Sequence, residues 1–334
     1  MTNGNKPMFS TSEMAHLWNA YLNNTLGLCT LLHFKENAED PEVRTVLEEA
    51  ITISRNQVDK IKAFFKQENF PKPTGFTKLD VNLNAPRLYT DTFYLFYIQN
   101  MAKIGGNGYS LSLATCARKD IREFFTECVT NSANLFNKSS DVLLSKGLFL
   151  RPPQINLPNR VDFVTKQSFL TGWFGKNRPL TSIEIMNLYF NIERNQLGRS
   201  LLMGFSQCAK EAEVRAYVER GVKIAAKHIE VFSSILKESD LPTPMTWDTA
   251  PTESTQSPFS DKLMMFHITA LTAASTSHYG TSLGSSPRRD IGLSYTRLTA
   301  EVTKYGEDGA NIMIDRGWLE QPPSATDRMS LPRR

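Results

Sequence analysis

Apolar residues return at intervals of three and four along most of this chain, the period of helices that bury one face. Met14, Leu17, Tyr21, Leu28 and Leu32 mark a first helix, and Val43, Leu47, Ala50, Ser54, Val58, Ile61 and Phe65 a second. Phe93, Phe96 and Ile98 open a third, while Ile121, Phe125, Cys128 and Leu135 belong to a fourth. Pro41 suits the first turn of the second helix, where a missing N–H is harmless, and Pro71 and Pro73 end it. The links between helices 1 and 2, and between 3 and 4, are short and predict antiparallel neighbours. Between helices 2 and 3, Phe70 to Leu88 holds three prolines and no helical period. That stretch is long enough to run the length of a bundle. Short, long, short is the connectivity of ferritin-like bundles, in which helices 2 and 3 run parallel.

The whole pattern then recurs. Leu17 and Trp18 return as Leu188 and Tyr189, Phe34 as Phe205, and Pro71 and Pro73 as Pro242 and Pro244, at an offset of 171 (188 − 17). From Asp91 onward the offset is 170 (261 − 91): Asp91 with Asp261, Phe96 with Phe266, Asp120 with Asp290. One residue of length difference therefore falls between Pro73 and Asp91, which marks a loop. A period this long is a duplicated domain, well beyond the unit of a solenoid. The expected organisation is a first four-helix bundle over 9–153, a linker over 154–179 and a second bundle over 180–323. Each copy is expected to be complete and able to fold alone. The linker carries Phe163, Phe169, Trp173 and Phe174, which predicts that it packs on both bundles.

Composition narrows the function classes. A net charge of +4, spread along the chain, builds no basic stripe for nucleic acid. No apolar run reaches the length of a membrane span. The first ten residues are polar and lack a signal core, so a cytoplasmic or spore-associated protein is expected. Four cysteines lie singly and read as small buried apolar residues of a reducing compartment.

The run from Ser168 to Leu180 (SFLTGWFGKNRPL), followed by Glu184 and Leu188-Tyr189, resembles the signature of a group from spore-forming bacilli, the domain-of-unknown-function 3231 family. The duplicated Leu-Trp/Tyr, Leu-Gly and Leu-Pro-x-Pro patterns fit it as well, over essentially the whole chain. The resemblance implies a tandem ferritin-like fold and a bacillus-type host, with sporulation or stress as the setting. It implies no activity.

Candidate chemistry is sparse. Glu13-x-x-His16 has the form of a di-iron ligand pair, but its counterpart is Glu184-x-x-Asn187, which has lost the imidazole. Both glutamates stand three residues after a hydroxyl, Ser10 or Thr181, the spacing of a capping box. The cap is the better reading. Gly172-x-x-Gly175-Lys176 lacks the leading glycine and the Ser/Thr of a phosphate loop. Gly105, Gly106 and Gly108 correspond to Ser275, Thr276 and His278 in the other copy, a mostly small stretch that predicts close helix packing. A sharper possibility is confined to the second copy. Counting helical turns brings His228, His278, Glu193 and Glu301 to one level of that bundle, a metal site for iron or zinc. The first copy has Gln57, Gly108, Leu22 and Asn131 there.

The expectation is thus an all-α protein of two tandem ferritin-like bundles, with no catalytic residues assigned. Its leading function is non-catalytic, structural or binding, with self-association or spore-protein partners. The alternative is a metal-binding protein or redox enzyme using the second-bundle site.

Overall fold

The computed structural model describes residues 7–172, 177–246 and 249–328. Eight long helices dominate them: α1 (Thr11–Asn37), α2 (Pro41–Gln67), α3 (Asp91–Thr115), α4 (Lys119–Ser145), α5 (Ser182–Cys208), α6 (Ala212–Lys237), α7 (Asp261–Ser285) and α8 (Arg289–Asp315). Each runs 25 to 27 residues, about 40 Å at 1.5 Å per residue. In each copy the helices joined by short corners pack together, α1 on α2 and α3 on α4, α5 on α6 and α7 on α8. Further contacts of α1 with α3 and α2 with α4, repeated by α5 with α7 and α6 with α8, close each set into a four-helix bundle. No described helix is long and apolar enough to cross a membrane.

The helix starts are as the sequence predicts. Ser10 and Thr181 each accept from the backbone N–H three residues on, and Glu13 and Glu184 return the bond. These glutamates also hold a second helix. Glu13 Oε1 accepts the N–H groups of Ala117 (3.0 Å) and Arg118 (2.7 Å) at the start of α4. Glu184 Oε1 accepts the N–H of Arg288 (3.1 Å) at the start of α8. Burial pushes both carboxyls up, but these bonds, with the Arg178 guanidinium on Glu184, hold them below the usual carboxylate range. Asp91 and Asp261 act alike at the opposite end. Asp91 accepts from Glu39 and Asp40, and Asp261 from Lys210 and Glu211, the backbone N–H groups that turn each first helix into the second.

The long crossovers do not stay with their own bundles. They pair with each other, antiparallel, at Val81 with Phe259 and Tyr89 with Pro251. Asn82 N–H donates to Pro258 and Thr252 N–H to Leu88, at 2.8 and 2.9 Å. Ser260 N–H donates to Asp80 and Thr90 N–H to Ala250, both at 3.0 Å. Each of these two couples is a pair of equivalent bonds, because residues 80, 82, 88 and 90 correspond to 250, 252, 258 and 260. The two copies are therefore related by a local two-fold axis, the geometry of an isologous dimer inside one chain. The one-residue length difference falls ahead of these paired segments, in the crossover.

Side chains interlock about that axis. Tyr97 and His267 are equivalent positions, and they meet, hydroxyl to Nε2, at 3.1 Å. Tyr89 reaches into the second copy, where its hydroxyl donates to Leu201 O at 2.6 Å. Its ring occupies the space a Cβ on Gly204 would need. The equivalent ring, Phe259, packs instead on His33, the counterpart of Gly204, at 5.4 Å. One apolar core consequently runs without a break from Phe34, Phe93 and Tyr94 to Phe205, Leu263 and Met264. The sequence expectation of two self-sufficient copies misses this shared core.

The described part of the linker is largely exposed over 154–168. Leu157, Val161 and Phe163 stand exposed. Of the two linker aromatics among the described residues, Phe169 is the engaged one, beneath the Arg178 guanidinium at 4.0 Å from its ring centroid. Trp173 and Phe174 lie outside the described residues, as do Gly175 and Lys176. Gly172 is a packing glycine, since a Cβ there would collide with the Asp290 carboxylate.

Candidate functional site

The interior of each bundle carries an equivalent polar chain built on a tyrosine. In the first, Asn24 of α1 donates to the Tyr109 hydroxyl at 3.0 Å, and that hydroxyl donates to Gln57 of α2 at 3.0 Å. In the second, the counterparts are Asn195, Tyr279 and His228. Asn195 donates to the Tyr279 hydroxyl at 2.7 Å, and His228 Nδ1 lies 2.9 Å from the same oxygen. The hydroxyl accepts from the amide, which leaves its own proton for Nδ1, as Tyr109 gives its proton to Gln57. The imidazole proton then resides on Nε2, which faces Glu301 Oε2 at 3.2 Å. Lys227 caps the same carboxylate at 2.9 and 3.0 Å. The second chain thus runs on through a buried histidine to the surface, whereas the first stops at Gln57.

Electrostatics follow burial. His228 is fully buried, and desolvation lowers its pKa against the opposing pull of Glu301. Burial alone would raise Glu301, but its bonds to Lys227 and His228 lower it. The tyrosine hydroxyls of both networks are pushed up by burial and stay protonated. The four thiols are pushed up to between about 11 and about 12 by the same cause, which makes them poor nucleophiles and poor metal ligands.

Of the four residues counted to one level, the structure brings His228 and Glu301 together. Glu193 turns the other way, to Lys103 of the first bundle at 3.0 Å. His278 is half-buried, and the place beside His228 that it was expected to fill belongs to its neighbour Tyr279. A helix rotates 100° per residue, so a count by turns selects a level and not a side chain. Among the described residues no three His, Cys, Asp or Glu side chains are grouped as a metal site. Both imidazole nitrogens of His228 are engaged, and Glu301 is taken by Lys227, so this donor set suits a metal poorly. His16 is bonded to Ser112 (3.0 Å) and Thr115 (2.8 Å) of α3.

Sequence reasoning missed the two tyrosines and Arg194, a cation of α5 that lines a cavity beside His228. The tyrosines left a signal: Tyr109 and Tyr279 match at the 170 offset, and Asn24 and Asn195 match at 171. Arg194 left none, because its counterpart is Asn23.

The model of the family described as "Protein of unknown function (DUF3231)" matches residues 1–161 and again residues 168–331. The chain belongs to this DUF3231 family. Its two matched segments are the two bundles, so the family unit is the single copy. No curated protein matches the chain. Among solved structures, a protein of Bacillus halodurans C-125, described as a "putative spore coat protein", is similar at 16% identity and a TM-score of 0.42. The match covers 45% of this chain and 98% of that one.

Proposed function

We propose that this DUF3231 protein is a non-catalytic structural or binding protein of a spore-forming bacterium. The supporting observation is how its buried polar groups are used. Glu13, Glu184, Asp91 and Asp261 tie helix ends together, and the Asn–Tyr chains cross-brace helices within each bundle. Groups of the kind that perform acid–base work are spent on neighbouring elements. The spore setting rests on the family resemblance alone.

Two measurements test the reading. A fluorescent fusion in sporulating cells should collect with the developing spore, and deletion should alter spore coat or resistance. Uniform vegetative fluorescence with unaltered spores would remove the setting. Elemental analysis of untagged protein should find no stoichiometric metal. Iron or zinc near one per chain, lost in Glu301→Gln, would favour the alternative of a metal site at His228 and Glu301.

A further inference from the structure

A cavity of about 80 Å³ opens inside the second bundle on the side facing α3. Most of its wall is apolar, with Leu197, Leu201, Ile224 and Ile268 among the lining residues. Arg194 interrupts that wall. Among the described residues its guanidinium makes no hydrogen bond and no ion pair, and its nitrogens keep access to the cavity's solvent. The groups that act on it through space are Tyr279 and Glu193, and Glu193 is itself bonded to Lys103.

An arginine in this position is costly. Burial pushes its guanidinium down to about 10, yet it remains charged at neutral pH. A half-buried charge that no carboxylate contacts directly is an arrangement proteins avoid unless something else supplies the anion. The shared architecture does not demand it. In the first copy the position is Asn23, an exposed residue whose amide donates to the carbonyl of Asn19. The charge therefore belongs to the cavity and not to the fold.

The fork of a guanidinium matches a carboxylate with two parallel hydrogen bonds. Asn195 and Ser275, which also line the cavity, add polar groups on the same wall. Size sets the other limit. One water needs about 10–15 Å³ of such volume, and a cavity of about 150 Å³ admits benzene, so 80 Å³ suits an acid of about three or four carbons. We propose that the second-bundle cavity binds a short-chain monocarboxylate, its carboxylate clamped by Arg194 and its alkyl end packed against Leu201, Ile224 and Ile268. This rests on the non-catalytic binding reading and gives it a ligand class. A phosphate or sulfate fits less well, because a dianion would bring one charge more than Arg194 neutralises and no apolar body for the wall.

The test uses the full chain and sodium butyrate as the probe, at constant ionic strength, with sodium chloride and phosphate as matched arms. Titration calorimetry should give saturable binding of butyrate, and thermal melts should shift upward with its concentration. Arg194→Gln should weaken binding about tenfold or more, the loss of a charge-assisted pair, while Asn23→Ala leaves it unchanged. If Arg194→Gln does not fold, Arg194→Lys and the guanidinium resonance of Arg194 in the wild type report instead. That resonance should move on adding butyrate and stay still with chloride. No saturable binding of butyrate, equal binding in the Arg194 variants, or equal binding of phosphate would each overturn the proposal. Spore location and metal content are read without butyrate, so the broader reading can fail or survive separately.

Discussion

The two bundles start from the same braced tyrosine and end differently. In the first, Asn24, Tyr109 and Gln57 form a closed set of neutral groups. In the second, His228 replaces Gln57, and Glu301 and Lys227 replace Asn131 and Asn56. A glutamine accepts the tyrosine proton and passes nothing on, whereas an imidazole with a second nitrogen connects the interior to a surface ion pair. Beside it, Arg194 stands where the first copy has Asn23. Duplication separates what the fold requires, the Asn–Tyr brace present twice, from what one copy added.

The largest effect should come from treating the copies as separable. A chain truncated after Pro153 exposes Tyr89, Phe93 and Phe34 and leaves one crossover unpaired. It should lack a cooperative thermal transition as a monomer or self-associate in size-exclusion chromatography. A cooperative monomer would show that the shared core is dispensable.

Next come the braces themselves. Tyr109→Phe and Tyr279→Phe each remove one hydroxyl and leave two buried partners unmatched, at a cost of about 1–3 kcal/mol by denaturant unfolding. The second should cost more, because Nδ1 of a fully buried histidine loses its donor. Equal losses would mean that the added histidine carries no weight.

The titration of that histidine gives a third contrast. Burial lowers His16, His33, His228 and His267, the last to about 3. Near pH 6.5 the unfolded chain takes up protons that the folded chain refuses, so stability should fall as pH drops from about 6.5 toward 5. His228→Gln, which copies the first bundle, should fold and should flatten this slope. An unchanged melting profile between those values would assign the dependence to the other histidines.

The helix caps should be the smallest contribution. Ser10→Ala and Thr181→Ala should each cost about 1 kcal/mol, and nearly equally, since both boxes are formed. Loss of the fold in either would show that Glu13 or Glu184 had been displaced from its second helix as well.

Much of the fold was legible because it is local and periodic. Helix faces, the proline stops and both capping boxes depend on residues three or four apart, and the structure forms them where the pattern predicts. The pairing of the crossovers was not legible, since segments rich in Pro, Ser and Thr have no period and the partners lie about half the chain apart. Within the site, His228 and Glu301 were found by counting turns, but rotation about the helix axis decided for Tyr279 over His278 and for Lys103 over any metal-site partner of Glu193. Arg194 was invisible to a comparison that looked for shared chemistry, because its interest lies in having no counterpart.

The local two-fold axis has a consequence for how such a protein could change. In an assembly of two identical chains, every substitution appears on both sides of the axis and must suit both. Joining the copies covalently removes that constraint, so Tyr89 can settle on Gly204 while Phe259 settles on His33. The tether also makes the association intramolecular, so that an effective concentration replaces the bulk one. Dilution then cannot part the halves, and one of them is free to specialise while the other keeps the partnership intact.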